Sequence, residues 1–323
     1  MRMVRDFLVL SKARLTSMVL ITTAVGYLLA TSRADLVVLA ATLAGTALTA
    51  FGANALNQYR ERDTDALMER TRLRPLPAGR LAPATALLYG VGAGVFGSFV
   101  LLAFSGPLPA LLAVITILLY VLVYTPLKRR STLNTLVGAV CGAIPPLIGW
   151  TAATGRLELG AWLLFALLFV WQMPHFLALA WLYRADYARG DLRMLPVSDP
   201  EGRLTFPITV SFALLHLPLG LLVTLTGVAG PWFALGSLVL GAAWVWQGLL
   251  LYRSHSDRDA RRVFYASLVY LPLALFLMVA DPGPLRSREL WLHGPPQAAD
   301  ATPDAVNAAQ PAVRPATPVG LRP

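Results

Sequence analysis

Charge is scarce in this sequence. Of its 323 residues only 14% are Asp, Glu, Lys or Arg, whereas 56% are hydrophobic. Soluble domains carry about 25% charged residues, so a two-domain water-soluble enzyme is excluded for want of polar side chains to cover it. Cysteine is almost missing: Cys141 stands alone, which excludes a disulfide framework and any zinc-ribbon spacing. Also lacking is the alternation of apolar and polar residues that a membrane-spanning barrel strand requires. Long, uniformly apolar runs are present instead, and in lipid such runs can satisfy their backbone only as helices. The sequence therefore predicts an all-α polytopic membrane protein.

A window of about 20 residues finds nine candidate spans, near 15–31, 36–57, 84–104, 108–125, 132–152, 160–182, 206–228, 232–252 and 263–280. Basic residues crowd into alternate connections. Arg2, Arg5, Lys12 and Arg14 precede the first span, and Arg60, Arg62, Arg70, Arg72, Arg74 and Arg80 follow the second. Lys128, Arg129 and Arg130 follow the fourth; Arg184, Arg189, Arg193 and Arg203 the sixth; Arg253, Arg258, Arg261 and Arg262 the eighth. The intervening connections hold only Arg33 and Arg156. By the positive-inside rule the N-terminus is expected inside and, with nine spans, the C-terminus outside. The first span is expected to stay in the mature chain, since no small-residue cleavage site follows it. Residues 1–281 read as one transmembrane domain and 282–323, rich in Pro and Ala, as a disordered tail. The net charge is +10, and no nucleic-acid partner is expected.

Acidic residues are few, yet Glu61, Asp63, Asp65 and Glu69 gather at the inner end of the second span. Positions four apart on a helix differ by about 40°. Asn57, Glu61 and Asp65 thus share one face over roughly 12 Å, with Asn54 just above, while Asp63 points away. A solvated helix end is one reading. Against it, the amides continue the carboxylate face into the apolar span, and polar groups at membrane depth usually face an interior cavity. Amide plus carboxylates suit Mg²⁺ with a substrate phosphate, and Arg70, Arg72 and Arg74 follow as donors for phosphate oxygens.

A second polar cluster is Trp171-Gln-Met-Pro-His175, followed by Asp186-Tyr187. His175 and Asp186 would share a face if the helix ran on, with Pro174 a candidate kink. His175 reads equally as a packing residue or as a substrate contact. Lys128 reads as a membrane anchor or as a diphosphate ligand, and Trp150 as an interfacial belt residue.

Asn57-Gln-Tyr-Arg-Glu-Arg-Asp-Thr-Asp65, with Met68-Glu-Arg-Thr and Arg74-Pro-Leu, resembles the first motif of the UbiA superfamily of intramembrane prenyltransferases. Tyr124-Thr-Pro-Leu-Lys-Arg, Gly142-Ala-Ile-Pro-Pro-Leu-Ile-Gly-Trp150, Trp171-Gln-Met-Pro-His-Phe176, Asp186-Tyr and Met194-Leu-Pro-Val are similar to its haem O synthase branch. The likeness covers most of residues 1–280. It implies a nine-helix bundle around a central cavity, a farnesyl group carried from farnesyl diphosphate to a vinyl group of haem B with addition of water, and release of haem O and diphosphate. It further implies Mg²⁺ as cofactor, Asn57, Glu61 and Asp65 as catalytic, and Glu61, Asp65 and Asp186 as metal ligands. Arg70, Arg74 and Lys128 would bind diphosphate, and His175 would meet the haem at its iron or a propionate. Expected partners are membrane lipid and a haem A-forming enzyme or oxidase assembly factor, in a bacterial inner membrane. Two positions depart from the superfamily: Glu61 stands where Asp is usual, and of the second motif's paired aspartates only Asp186 remains. A quinone prenyltransferase, a secondary transporter and an assembly subunit are the rival readings; transporters tend to place charge near the midplane between inverted repeats, which this sequence does not do.

Overall fold

The structure is a computed structural model and describes residues 2–284. The tail expected to be disordered lies, from residue 285 on, outside the described residues. Among the described residues nine helices are long and apolar enough to cross a membrane, as the sequence predicted. They are α1 (Ala13–Ala30), α2 (Leu36–Asp65), α3 (Pro83–Phe104), α4 (Pro107–Leu127), α5 (Asn134–Thr154), α6 (Leu159–Leu182), α7 (Thr205–Leu225), α8 (Pro231–Ser254) and α9 (Asp257–Ala280).

Local chemistry sets their ends. The Asp35 carboxylate accepts from the Val37 and Val38 amides and starts α2, and Ser256 accepts from the Asp259 amide at the start of α9. Pro83, Pro107 and Pro231 open α3, α4 and α8, where a missing N–H costs nothing. Gly155 closes α5 in the left-handed conformation. Asp199 accepts from the Arg203, Leu204 and Thr205 amides, which holds its carboxyl below the usual range against the opposing effect of burial.

α2 runs beyond its apolar stretch to Asp65, as the one-face reading of Asn57, Glu61 and Asp65 requires. Two other helices carry features that the apolar windows do not show. α4 contains a π-helical stretch, Leu119–Tyr124, between α-helical segments. α6 carries Pro174 without breaking, but ends at Leu182; Tyr183 leaves helical geometry and a new helix spans Arg184–Arg189. His175 and Asp186 therefore do not share a helix face.

α2 packs along α3, α1 along α5 and α7 along α8, while α6 touches α5, α7 and α9. Leu163, Leu164, Leu167 and Leu168 of α6 are buried in the main core, whereas Leu88, Val95, Phe96 and Phe99 of α3 point outward, as lipid rather than water permits. Trp150 corrects the sequence reading. It is buried in the core, packs on Gly160 and donates from Nε1 to Glu158 at 3.1 Å, so it faces neither lipid nor headgroup.

The basic connections meet at one end of the bundle. Arg80 pairs with Asp6 of the short amphipathic helix Arg2–Leu10, the Arg193 amide donates to the Lys128 carbonyl, and Arg184 pairs with Asp257. At the other end Asp281 caps α8 through the Phe233 amide.

Membrane helices associate by close van der Waals contact at small residues. The α1–α5 crossing depends on this: a Cβ on Gly149 would run into the Thr23 carbonyl, and one on Gly26 into the Pro146 carbonyl. Gly149→Val is expected to destabilise the fold by about 1–3 kcal/mol, the usual range for overpacking, read as a lowered Tm in detergent. Gly92→Val, where nothing lies near, is expected to leave Tm unchanged.

Candidate active site at the basic end of the bundle

The last two turns of α2 carry the candidate carboxylates. Asp65 is 1% exposed and Asp63 85%, so helical geometry turns the first inward and the second to solvent, as the spacing required. Each inward carboxylate holds a cation: Lys128 Nζ lies 2.7 Å from Glu61 Oε1, and Arg74 Nη1 2.7 Å from Asp65 Oδ2. The second oxygen of each carboxylate makes no hydrogen bond among the described residues. Asn57 is fully buried and donates from Nδ2 to Thr125 Oγ1 at 3.0 Å.

The sequence reading missed Lys12. Its Nζ donates to Asn57 Oδ1 at 3.0 Å and to Tyr120 Oη at 3.3 Å, which brings a third cation to the same face. The chain places it by a break. Helix Arg2–Leu10 ends, Lys12 takes left-handed φ and ψ of 47° and 51°, and α1 begins. Ending a helix leaves carbonyls unsatisfied. Here α2 supplies the donors, with Gln58 Nε2 on the Val9 and Leu10 carbonyls and Asn54 Nδ2 on the Ser11 carbonyl. Asn54 thus holds backbone rather than extending the carboxylate face. No signal in the sequence separates Lys12 from its neighbour Arg14.

Burial and then repulsion by Arg74 and Lys128 push Lys12 down to about 7. Lys128 goes the other way: burial disfavours its charge, but the Glu61 carboxylate outweighs it and raises the pKa. Tyr120 and Tyr124 stack at 5.2 Å, and Lys128 Nζ lies 4.5 Å over the Tyr124 ring.

Asp186 belongs elsewhere. Its oxygens accept from the Glu69 amide at 2.8 Å, the Arg70 amide at 3.3 Å and Arg189 Nη2 at 2.7 Å. Burial would raise its pKa, but these donors lower it, so the clamp is charged at neutral pH and loosens only as pH falls through that depressed value. The structure does not gather it with Glu61 and Asp65: among the described residues no group of three His, Cys, Asp or Glu could hold a metal. Sequence could not show this, because the oxygens are engaged by backbone amides of the 66–72 segment. Arg70 sits with this clamp, its guanidinium over the Tyr183 and Tyr187 rings at 5.2 and 5.7 Å. Asp191 is exposed at a positive φ and pairs with Arg129.

His175 forms a second constellation on α6. Its ring is stacked between Trp171 and Phe264, each at 4.9 Å, and Nδ1 lies 2.8 Å from Ser267 Oγ. The Ser267 hydroxyl already donates to the Phe264 carbonyl. Its oxygen must therefore accept from Nδ1–H, which leaves Nε2 as an unprotonated lone pair. Nε2 makes no hydrogen bond among the described residues.

Two hard carboxylate oxygens without partners, beside an amide, fit a divalent cation such as Mg²⁺. The three surrounding cations fit a polyanion. The sequence pattern of the UbiA prenyltransferase family matches residues 19–276. The chain is 47% identical over 276 residues to a protoheme IX farnesyltransferase of Anaeromyxobacter sp. (strain Fw109-5), covering 84% of this chain and 93% of that one. It is 40% identical to a protoheme IX farnesyltransferase of Solibacter usitatus (strain Ellin6076), covering 86% and 99%. Among solved structures, a digeranylgeranylglyceryl phosphate synthase superposes with a TM-score of 0.74 at 16% identity, covering 87% of this chain and 99% of that one. A UbiA homologue from Archaeoglobus fulgidus bound to GPP and Mg²⁺ gives 0.64 at 16% identity, covering 85% and 99%.

The clamp can be tested without any assay of activity. Asp186→Ala is expected to speed hydrogen exchange at the Glu69 and Arg70 amides by on the order of tenfold or more, since charge-assisted hydrogen bonds are worth about 1.5–3 kcal/mol. Amides in the middle of α6 should exchange as before; equal acceleration there would mean global loosening instead.

Proposed function

Because this chain belongs to the UbiA prenyltransferase family, we propose that it transfers the farnesyl group of farnesyl diphosphate to a vinyl group of haem B and releases haem O and diphosphate. The observation that carries this reading is the pairing of a polyanion site at the end of α2 with a stacked histidine whose free lone pair suits haem iron. The names of the relatives support the same acceptor. A quinone precursor as acceptor, or transport, is not favoured: the carboxylates lie at a helix end, and the chain's relatives are named for protohaem.

In the reaction the C1–O bond of farnesyl diphosphate breaks and its electron pair leaves with the diphosphate. C1 bonds the terminal vinyl carbon, water adds at the neighbouring carbon, and a proton is released. Glu61 and Asp65 would hold Mg²⁺, which supplies positive charge against the departing diphosphate. Asn57 orients this face through Thr125 and Lys12. Arg74, Lys128 and Lys12 would donate to diphosphate oxygens, and a bound polyanion would keep Lys12 protonated at neutral pH. Arg70 would contribute from the segment that Asp186 fastens. The assignment of Asp186 as a metal ligand therefore gives way to a positioning role. Tyr120 and Tyr124, stacked on each other with Lys12 and Lys128 over their rings, would help keep water from the allylic cation. His175 would ligate the iron of the haem substrate through Nε2; a propionate would need a donor there. The protein would sit in a bacterial inner membrane with its basic end and N-terminus cytoplasmic, and would pass haem O to a haem A-forming enzyme or an oxidase assembly factor.

Purified protein given haem B, farnesyl diphosphate and Mg²⁺ is expected to yield a haem heavier by a farnesyl group plus water, read by mass. Asp65→Asn should cut turnover by about 10²-fold or more, in line with the loss of a preorganised charge at a reacting centre, while Asp63→Asn should retain it. The reverse pattern would sink the assignment of the α2 face. His175→Ala should lose the visible-spectrum signature of histidine-ligated haem while binding farnesyl diphosphate with unchanged affinity. A spectrum that survives the substitution would return His175 to packing.

A further inference from the structure

A cavity of about 420 Å³ opens at the basic end beside the candidate site. Arg60, Glu61 and Thr64 of α2 form one wall, Thr125, Pro126, Arg129 and Arg130 another, and Asp191 the rim. Glu61 belongs to both spaces: it holds Lys128 on the site side and lines the cavity on the other. Thr125 does likewise, accepting from Asn57. Lys12, Asp65 and Arg74 do not line the cavity, so it adjoins the polyanion cluster without being part of it.

Its charge is cationic. Three arginines face two carboxylates, and Lys128 already neutralises Glu61. Arg60 and Arg130 have no side-chain partner among the described residues. Arg129 has only Asp191 at 3.3 Å, with both side chains more than half exposed, a pair that water makes weak.

The proposed reaction needs such a space. Farnesyl diphosphate can arrive from the bilayer because its chain anchors it there. After transfer the chain belongs to the other product, and inorganic diphosphate is left as a small polyanion that lipid excludes. It requires an aqueous exit with cations along it. We infer that this cavity is the exit for inorganic diphosphate, with Arg60, Arg129 and Arg130 receiving the anion as it passes Glu61. The inference rests on the function proposed above.

The test plugs the cavity after the protein has folded. Arg130→Cys introduces an exposed thiol, while the native Cys141 is buried and should stay unlabelled. The full-length variant is treated with a biotin-bearing maleimide. With enzyme in excess of farnesyl diphosphate, labelled protein should form its first prenylated haem at the unlabelled rate. With substrate in excess, turnover should then fall at least about tenfold, leaving a burst of one product per enzyme. Inorganic diphosphate added beforehand should slow labelling. Steady turnover unaffected by the label would overturn the inference, as would loss of the first turnover, since that would put the cavity in loading or chemistry. Failure of the functional reading looks different: unlabelled protein would then prenylate no haem at all.

Discussion

Two buried ion pairs at one helix end, Lys128–Glu61 and Arg74–Asp65, make demands that the neighbouring chain must meet. A carboxylate withdrawn from water without a partner is costly, so each needs a cation delivered from elsewhere. Lys128 comes from the turn after α4, which obliges α4 to reach α2. Arg74 comes from the segment after α2, which must fold back under its own helix. That fold-back is held by Thr71 on the Asp65 carbonyl and by Asp186 from beyond α6. The third cation arrives because α2 donates amides to the end of the N-terminal helix and so fixes the break at Lys12. One polar face of one helix thereby organises four other segments.

The polyanion cluster and the histidine unit solve different problems with similar means. At the end of α2, charges are paired but not saturated, since each carboxylate keeps an oxygen uncommitted. On α6, the ring of His175 is fixed by two stacking neighbours and a serine whose own proton is already spent. In both places a packed surround leaves a single chemical valence open. Such preorganisation is what rigid elements supply better than loops do.

The sequence made the architecture legible because lipid leaves few alternatives: nine apolar runs and an alternation of basic connections fixed count and sidedness of the loops together. The Asn57–Glu61–Asp65 face was legible for the same reason, as periodicity alone decides it once the helix reaches Asp65. What remained hidden depends on contacts between distant segments. Lys12 is one basic residue among four near the N-terminus until Asn57 is placed beside it. Asp186 reads as a metal ligand until the amides of Glu69 and Arg70 are seen on its oxygens. Trp150 reads as a belt residue because depth in the membrane, which sequence gives, differs from exposure to lipid, which it does not. His175 gained its tautomer only from the hydroxyl of Ser267, ninety-two positions away.

The π-helical stretch at Leu119–Tyr124 carries a consequence for the chain's tolerance of length change. Its hydrogen bonds skip one residue further than those of an α-helix, so α4 accommodates one residue more than regular winding would. Removing a residue there would let the helix heal into ordinary α geometry, with no broken backbone bond and no cavity. The helix would be content, and the site with it. The wider winding already takes up the extra residue, so Thr125 and Lys128 would keep nearly their present phase relative to α2 and still face Asn57 and Glu61. A deletion in the flanking α-helical winding would instead turn them by about 100°. Mutational drift in α4 is thus filtered by phase, and the π-helical stretch is where a single-codon deletion can pass.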